Sequence, residues 1–426
     1  MLERIGLKSL DELYADIPEG IRFRGDYDLP AAMSEAELRN HIDSLCRKNT
    51  LLTVFAGAGC YDHYTPSAVP NIVSRSEFLT SYTPYQAEIS QGTLHYIFEY
   101  QSLMTELTGM DVSNASMYDG STATAEAAIM ALHSTKKTSR VLMSSTMDPK
   151  IRRVVETYAH FHGFETVTIN SQDGVTDSGD LRAKMAGGGI AALIVQQPNY
   201  YGIVEDYSGY ADLAHERKAL LIVNSVAADL ALLKTPGEWG ADIAVGDCQT
   251  LGIPMSYGGP SAGYLCCKDK YMRKMPGRIV GKTIDGKGQR VFVLTLQARE
   301  QHIRRQKATS NICSNESLMA LWATVYMSIM GKEGLKEAAE RSCSGAHYLC
   351  DELLKTGLFH LAFNQPFFNE FCLRYDGNVD SLQKRLIAGG ILGGVKVAND
   401  TIMLAVTEKR TKQEMDRLVD IARRPA

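Results

Sequence analysis

The sequence predicts an α/β protein with a mostly parallel sheet, followed by a smaller α+β lobe. Three observations carry that expectation. Between residues 140 and 247, short apolar runs alternate with amphipathic helical stretches, the pattern of successive βαβ units. The apolar runs are continuous rather than alternating with polar residues, as in strands covered on both faces. From residue 334 onward the pattern changes to long helices with a few scattered strands, which sets a second lobe apart. The reading divides the chain into an N-terminal helical arm (1–60), a large α/β domain (61–315) and a small α+β domain (316–426) that includes the connecting helix.

Composition narrows the function classes. A chain of 426 residues can bury a large core and form more than one lobe. Its 45% apolar and 22% charged content is that of an ordinary globular protein, and a net charge of -4 gives no reason to expect nucleic acid or an anionic membrane. The nine cysteines are odd in number and include no Cys-x-x-Cys, so neither a disulfide framework nor a metal site is expected. The start lacks an apolar run of signal-peptide length, and no stretch reaches the roughly 18 apolar residues of a membrane helix. A cytoplasmic protein is the expectation.

In chain order, residues 34–47 read as a helix capped by Ser34 with Glu37 three residues on, part of an arm that packs on a partner or on the lobe ahead. The Gly57-x-Gly59 pair is not a dinucleotide loop, because Asp62 stands where the third glycine would be. Residues 80–91, TSYTPYQAEISQ, are either a surface loop before a helix at 92–108 capped by Ser90, or a wall of hydrogen-bonding groups around a polar substrate. Composition leaves both open. Asp119-Gly120-Ser121-Thr122 opens a helix running to about residue 133, with Ser121 and Thr122 as caps. Its free amides make either a plain capped helix or an anion site.

Strands are then expected at 140–144, 166–170, 191–196, 219–224 and from 242, with helices at 149–162 and 207–218. In such sheets ligands sit beyond the carboxyl ends of the strands, and Asn224 lies at one of those ends. Residues 273–289 form a basic, glycine-punctuated loop. It is no P-loop, since the required upstream glycine falls on Pro276. It is either solvated or it sends Arg278 and Lys282 into a neighbouring subunit's site. Residues 304–315 lead into a long helix at 316–330 with Ser314 as a possible cap, followed by a helix at 335–355. Strands at 371–375 and 401–406, helices at 379–388 and 412–423, and turns at Gly389-Gly390 and Gly393-Gly394 complete the chain.

Residues 241–265, ADIAVGDCQTLGIPMSYGGPSAGYL, read as a buried strand, a Gly/Pro-rich loop and a second strand at 263–267. The wording Gln-Thr-Leu-Gly-Ile-Pro followed by Gly258-Gly259-Pro260, with Tyr-Thr-Pro-Tyr-Gln from Tyr82 and Ile-Ser-Gln-Gly from Ile89, resembles the glycine cleavage P-proteins. Within that family it is similar to subunit 1 of the two-subunit bacterial form. The resemblance implies an aspartate-aminotransferase-like fold, fold type I of the pyridoxal-phosphate-dependent enzymes, in which this loop carries the lysine that holds the cofactor. Here Cys248-Gln249 stands where His-Lys would be expected, and an amide nitrogen cannot form a Schiff base. Asn224 stands where relatives place an aspartate against the cofactor's ring nitrogen.

The same resemblance implies a division of labour between two subunits. Subunit 2 is expected to carry pyridoxal phosphate, and the pair to decarboxylate glycine and pass the aminomethyl group to lipoyl H-protein, as a hetero-oligomer with two of each subunit. Gly120, Ser121, Thr122, Asn224, Cys248 and Gln249 become a vestigial cofactor pocket, and no residue of this chain is assigned a catalytic role. Tyr82, Tyr85, Gln86 and Gln91 are expected to line the partner's active site. Thr309, Ser310 and Asn311, by likeness to an Arg-x-Gly-Thr-x-Asn segment of cysteine desulfurases, would touch the partner's cofactor phosphate. Lys409 and Arg410 follow the last strand, near where aminotransferase-like small lobes present a carboxylate-binding arginine. The alternatives are a non-catalytic scaffold of the complex, and an independent enzyme using Lys268 or Lys282.

Overall fold

The computed structural model describes residues 1–136, 138–312 and 314–424. Cys313, within the 304–315 segment, lies outside the described residues. The chain divides into two units, Met1–Leu51 and Leu52–Ala426. In the first, helix α1 (Glu35–Cys46) has the full capping box expected, Ser34 taking the Glu37 amide and Glu37 returning to the Ser34 amide. Leu38, Ile42 and Leu45, at helical spacing, form an apolar stripe of which nearly half stays exposed.

The second unit is organised by a seven-stranded sheet. Its elements in chain order are α2 (Gln91–Thr108), β1 (Val112–Ser113), α3 (Gly120–Ser134), β2 (Arg140–Ser144), α4 (Pro149–His162), β3 (Glu165–Ile169), β4 (Ile190–Gln197), β5 (Leu220–Ser225), β6 (Ile243–Asp247) and β7 (Gly263–Cys267). The spatial order is β1-β7-β6-β5-β4-β2-β3. Strands β6, β5, β4, β2 and β3 run parallel, while β7 is antiparallel to both of its neighbours. All eight residues of β4 are buried, which is why that run lacks polar alternation. The alanine-rich α3 is buried from Ala123 through Ala131, and small side chains let it lie close against the sheet.

The last part of the unit holds a four-stranded antiparallel sheet of Phe359–Leu361, Glu370–Tyr375, Thr401–Ala405 and Val395–Lys396, in that order. Val379–Ala388 and Lys412–Ala422 form helices and share a core with its strands. Thr53–Val54 pairs in parallel with Ile391–Leu392, so the apolar run after residue 51 serves this lobe.

Several sequence expectations are corrected. The basic loop is a β-hairpin, Ile279–Ile284 paired with Arg290–Thr295. Arg278 at its foot is 2% exposed and sits 3.5 Å from Glu300. Its buried partner is invisible at that distance in sequence. The two helices predicted at 316–330 and 335–355, by contrast, are both present within Ser317–Leu354 (α5), parted at Gly331, whose φ of 61 is not helical. The helix predicted at 207–218 is only Tyr210–Glu216. Ser90 makes no side-chain cap bond, and Ser314 bonds Thr83 at 3.0 Å instead of capping α5. At the start of α3 the cap is Asp119, paired with Thr122 in a reciprocal box, and not Ser121.

Candidate functional site

The carboxyl ends of β5 and β6 and the amino ends of α3 and α4 converge on a cavity of about 210 Å³. Gly120, Ser121, Asn224 and Gln249, four of the six residues expected to form a vestigial pocket, line it, joined by Lys150 and Cys60, which sequence reasoning did not single out. Thr122 faces a different cavity, beside Tyr118. Cys248 points the other way, because successive residues leaving a strand end face opposite sides. It is fully buried 3.3 Å from the Tyr100 hydroxyl, and burial pushes its thiol far up.

Gln249 is completely committed. Its Oε1 accepts from the Tyr61 amide at 2.9 Å, and its Nε2 donates to the Tyr61 and Ile253 carbonyls, each at 2.9 Å. The side chain thereby clamps the backbone of residues 58–61 across the mouth of the cavity. That segment is held on its other side by Glu370, which accepts from the Ala58 amide at 2.7 Å and the Tyr61 hydroxyl at 2.8 Å. In sequence this strap shows only as the glycine-rich end of an apolar run, and nothing local names its partners.

The helix start that could cradle a phosphate already holds protein carboxylates. The Gly120 amide donates to Asp247 Oδ2 at 3.1 Å and the Thr122 amide to Asp119 Oδ1 at 2.8 Å. Gly120 has no Cβ for a reason: one would lie 2.8 Å from the Asp247 nitrogen, so glycine is what lets α3 begin this close to the end of β6. Asp247 also takes the Gln249 amide at 2.8 Å and the Ser261 hydroxyl at 2.5 Å, yet burial raises its pKa from the ordinary value. Asn224 donates to Thr124 at 2.8 Å.

Pyridoxal phosphate would need an amine, free amides for its phosphate and an acid for its ring nitrogen. Here the residue that follows β6 at the lysine position is an amide spent on backbone, the cavity's amine, Lys150, stands instead at the start of α4, carboxylates hold the helix terminus, and the acid is an asparagine facing a hydroxyl. A phosphate dianion brought to Gly120 would meet Asp247 and Asp119 at close range. The residues present do not fit the cofactor.

Glu370 is buried at 2% exposure and its pKa is pushed up to about 7, first by burial, against the lowering pull of the Ala58 and Tyr61 bonds. Asp229, buried as deeply, is also raised well above its ordinary value, first by burial and then by Glu370. The sign follows from linkage. An acid whose folded pKa lies above its ordinary value keeps, in the native state, a proton the unfolded chain has released, so stability falls as pH rises from about 4.5 to about 7. Glu370→Gln keeps an oxygen for the Ala58 amide and removes the charge. It is expected to flatten that decline and to be more stable than the parent by on the order of 2 kcal/mol at pH 8, with little difference at pH 5. Urea unfolding at the two pH values checks this.

The other predicted residues gather in two further places. Tyr82 and Tyr85 are exposed, at 78% and 53%, on a loop that includes the exposed Gln86. The Arg278 guanidinium lies 5.0 Å from the Tyr85 ring centre and the His302 ring meets it edge-on. Gln91 instead pins the start of α2 to the hairpin, exchanging hydrogen bonds of 2.8 and 2.9 Å with the Phe292 backbone. Thr309, Ser310 and Asn311 rim a surface cavity between α3 and α4. Lys409 and Arg410 are both engaged by Asp62, at 2.6 and 3.3 Å, and Lys268 by Asp242 at 3.5 Å, whereas Lys282 is exposed on the hairpin.

Comparison with known proteins decides the family. The model of the glycine cleavage system P-protein matches residues 1–422. The chain belongs to that family. Proteins described as probable glycine dehydrogenase (decarboxylating) subunit 1 are similar throughout: that of Anoxybacillus flavithermus is 49% identical over 98% of this chain and 95% of its own, and that of Geobacillus thermodenitrificans 50% over 99% and 95%. A crystal structure of glycine decarboxylase (P-protein) of the glycine cleavage system, in inhibitor-bound form, superposes with a TM-score of 0.93 at 38% identity, covering 99% of this chain and 96% of that one. An alanine–glyoxylate aminotransferase from Nostoc sp. shares the fold alone, with a TM-score of 0.63 at 16% identity over 88% of this chain and 95% of its own. The P-protein family and these neighbours confirm the expected fold type I architecture. The chain is thus a P-protein subunit. Among its described residues no helix is long and apolar enough to cross a membrane.

Proposed function

We propose that this chain is the cofactor-free half of a cytoplasmic, glycine-decarboxylating P-protein, and that a second, lysine-bearing subunit holds pyridoxal phosphate in the assembled enzyme. The observation that carries this reading is Gln249, which occupies the lysine position and spends every hydrogen-bonding group of its amide inside the chain. When bound, the cofactor supplies the electron sink for loss of the glycine carboxyl group. This chain contributes shape and contacts: Tyr82, Tyr85 and Gln86 stand on an exposed loop stiffened by Arg278, suited to walling a neighbour's polar substrate channel and keeping water out. Gln91 supports that loop from behind. Thr309, Ser310 and Asn311 offer two hydroxyls and an amide to a neighbour's phosphate. The assembly holds two copies of each subunit and delivers the aminomethyl group to lipoyl H-protein.

The test is exchange of labelled bicarbonate into glycine with H-protein and pyridoxal phosphate present. Activity is expected only when this chain and the lysine-bearing subunit are mixed, and exchange by this chain alone would overturn the reading. A scaffold role is distinguished in the same assay by Tyr85→Ala. A wall residue predicts a loss of tenfold or more in exchange with the complex intact by sedimentation, whereas a pure scaffold leaves turnover unchanged.

A further inference from the structure

A second cavity, of about 240 Å³, opens between one face of α3, one face of α4 and the segment at residues 309–312. Glu126 and Ile129 project from α3 at helical spacing, and Tyr158 and Phe161 from α4. Glu126 is only 7% exposed, yet its carboxyl group has neither a hydrogen bond nor an ion pair among the described residues; burial alone pushes its pKa up to about 7. Such a group is costly to leave unpaired, and its position on the wall makes the cavity the place where a partner would come. Phe161 stands at the mouth with 81% of its surface exposed, and Tyr118 across from it is 40% exposed.

Three classes of occupant can be compared on these residues. An anion would face an unpaired carboxyl group. A neutral apolar molecule would fill the aromatic part and leave Glu126 buried and unsatisfied. A cation on a short apolar stem satisfies both parts: its charge pairs with the carboxylate, and its stem and charge lie against aromatic faces.

We infer that this cavity binds an organic cation, an ammonium or guanidinium on a short apolar stem, with Glu126 as its counter-ion and Tyr158 and Phe161 as its flanking walls. The cation comes either from a free amine or from a lysine or arginine side chain of a docked subunit. The site stands on this chain's own residues and does not depend on which subunit holds pyridoxal phosphate.

Titration calorimetry of the full chain with n-butylguanidinium at pH 8 tests it. Saturable one-to-one binding is expected, weakened at least tenfold by Glu126→Gln and severalfold by Phe161→Ala, whose exposed ring is not needed for folding. Displacement of the probe by the lysine-bearing subunit assigns the cation to a side chain of that subunit; retention of the probe in the complex assigns it to a free amine. Both outcomes support the site. Absence of saturable binding by the parent chain, or equal binding by Glu126→Gln or Phe161→Ala, overturns it.

Discussion

Gln249→Ala is expected to lower the stability of the chain by about 3 kcal/mol, from three lost hydrogen bonds at roughly 1 kcal/mol each. The cost is this large because the partners are backbone groups. The Tyr61 amide and carbonyl and the Ile253 carbonyl would be left without the bonds that fold them inward, and Gln249 itself is only 6% exposed. The strap at residues 58–61 would keep its bonds to Glu370 and lose those to Gln249. Denaturant unfolding measures the loss, and faster proteolysis at residues 58–61 locates it. Gln249→Lys is the functional companion. It supplies the missing amine, but Asp247 and Asp119 still occupy the amides of α3 and Asn224 still faces Thr124. Added pyridoxal phosphate is therefore expected to give no absorption band that borohydride abolishes. Appearance of that band would show that one side chain alone separates this pocket from a working one.

Gly202→Ala is expected to cost at least about 3 kcal/mol, through overpacking and an unfavourable backbone conformation together. Gly202 has φ +79, and a Cβ there would lie 1.9 Å from the carbonyl oxygen of Glu370. Backbone cannot yield as a flexible side chain can, so the strand beginning at Glu370 must move. The nearby pairing supports this, since Phe368 donates to the Gly202 carbonyl at 3.0 Å and Val204 to that of Pro366 at 2.9 Å. Displacing Glu370 also withdraws its carboxylate from Ala58 and Tyr61. Two readouts should therefore move together: the denaturation midpoint falls, and the pH dependence assigned to Glu370 weakens. A midpoint shift equivalent to less than about 1 kcal/mol would mean that the two segments part more easily than their contacts imply.

Much of the fold was legible because its signals are local. Strand β2, helix α4, strand β7 and the helix Val379–Ala388 stand where continuous apolar runs or amphipathic spacing placed them. The capping box at Ser34 was readable from residues three apart. The errors arose where a distant partner overrides local chemistry. A basic, glycine-rich stretch leaves Arg278 open between solvent and a neighbour's site until Glu300 and Tyr85 come to meet it, and its two flanks pair as the strands of a hairpin. Ser121 looks like a cap, but Asp119 takes the Thr122 amide, and the Thr122 hydroxyl takes the Asp119 amide in return.

The sequence by itself determined the parallel-sheet architecture, the family, and the absence of a lysine at position 249, because each depends on which residues stand at fixed spacing along the chain. Only the tertiary structure decided what the pocket became. Asp247 is 127 positions from Gly120, and Tyr61 is 188 from Gln249, so no local pattern could show that a carboxylate had taken the anion's place or that an amide had become a clamp. The same holds for Glu126. In sequence it is one acidic residue on an alanine-rich helix, and its unpaired burial exists only once α4 and residues 309–312 close around it. Burial and pairing are properties of what surrounds a side chain, and folding alone supplies the surroundings.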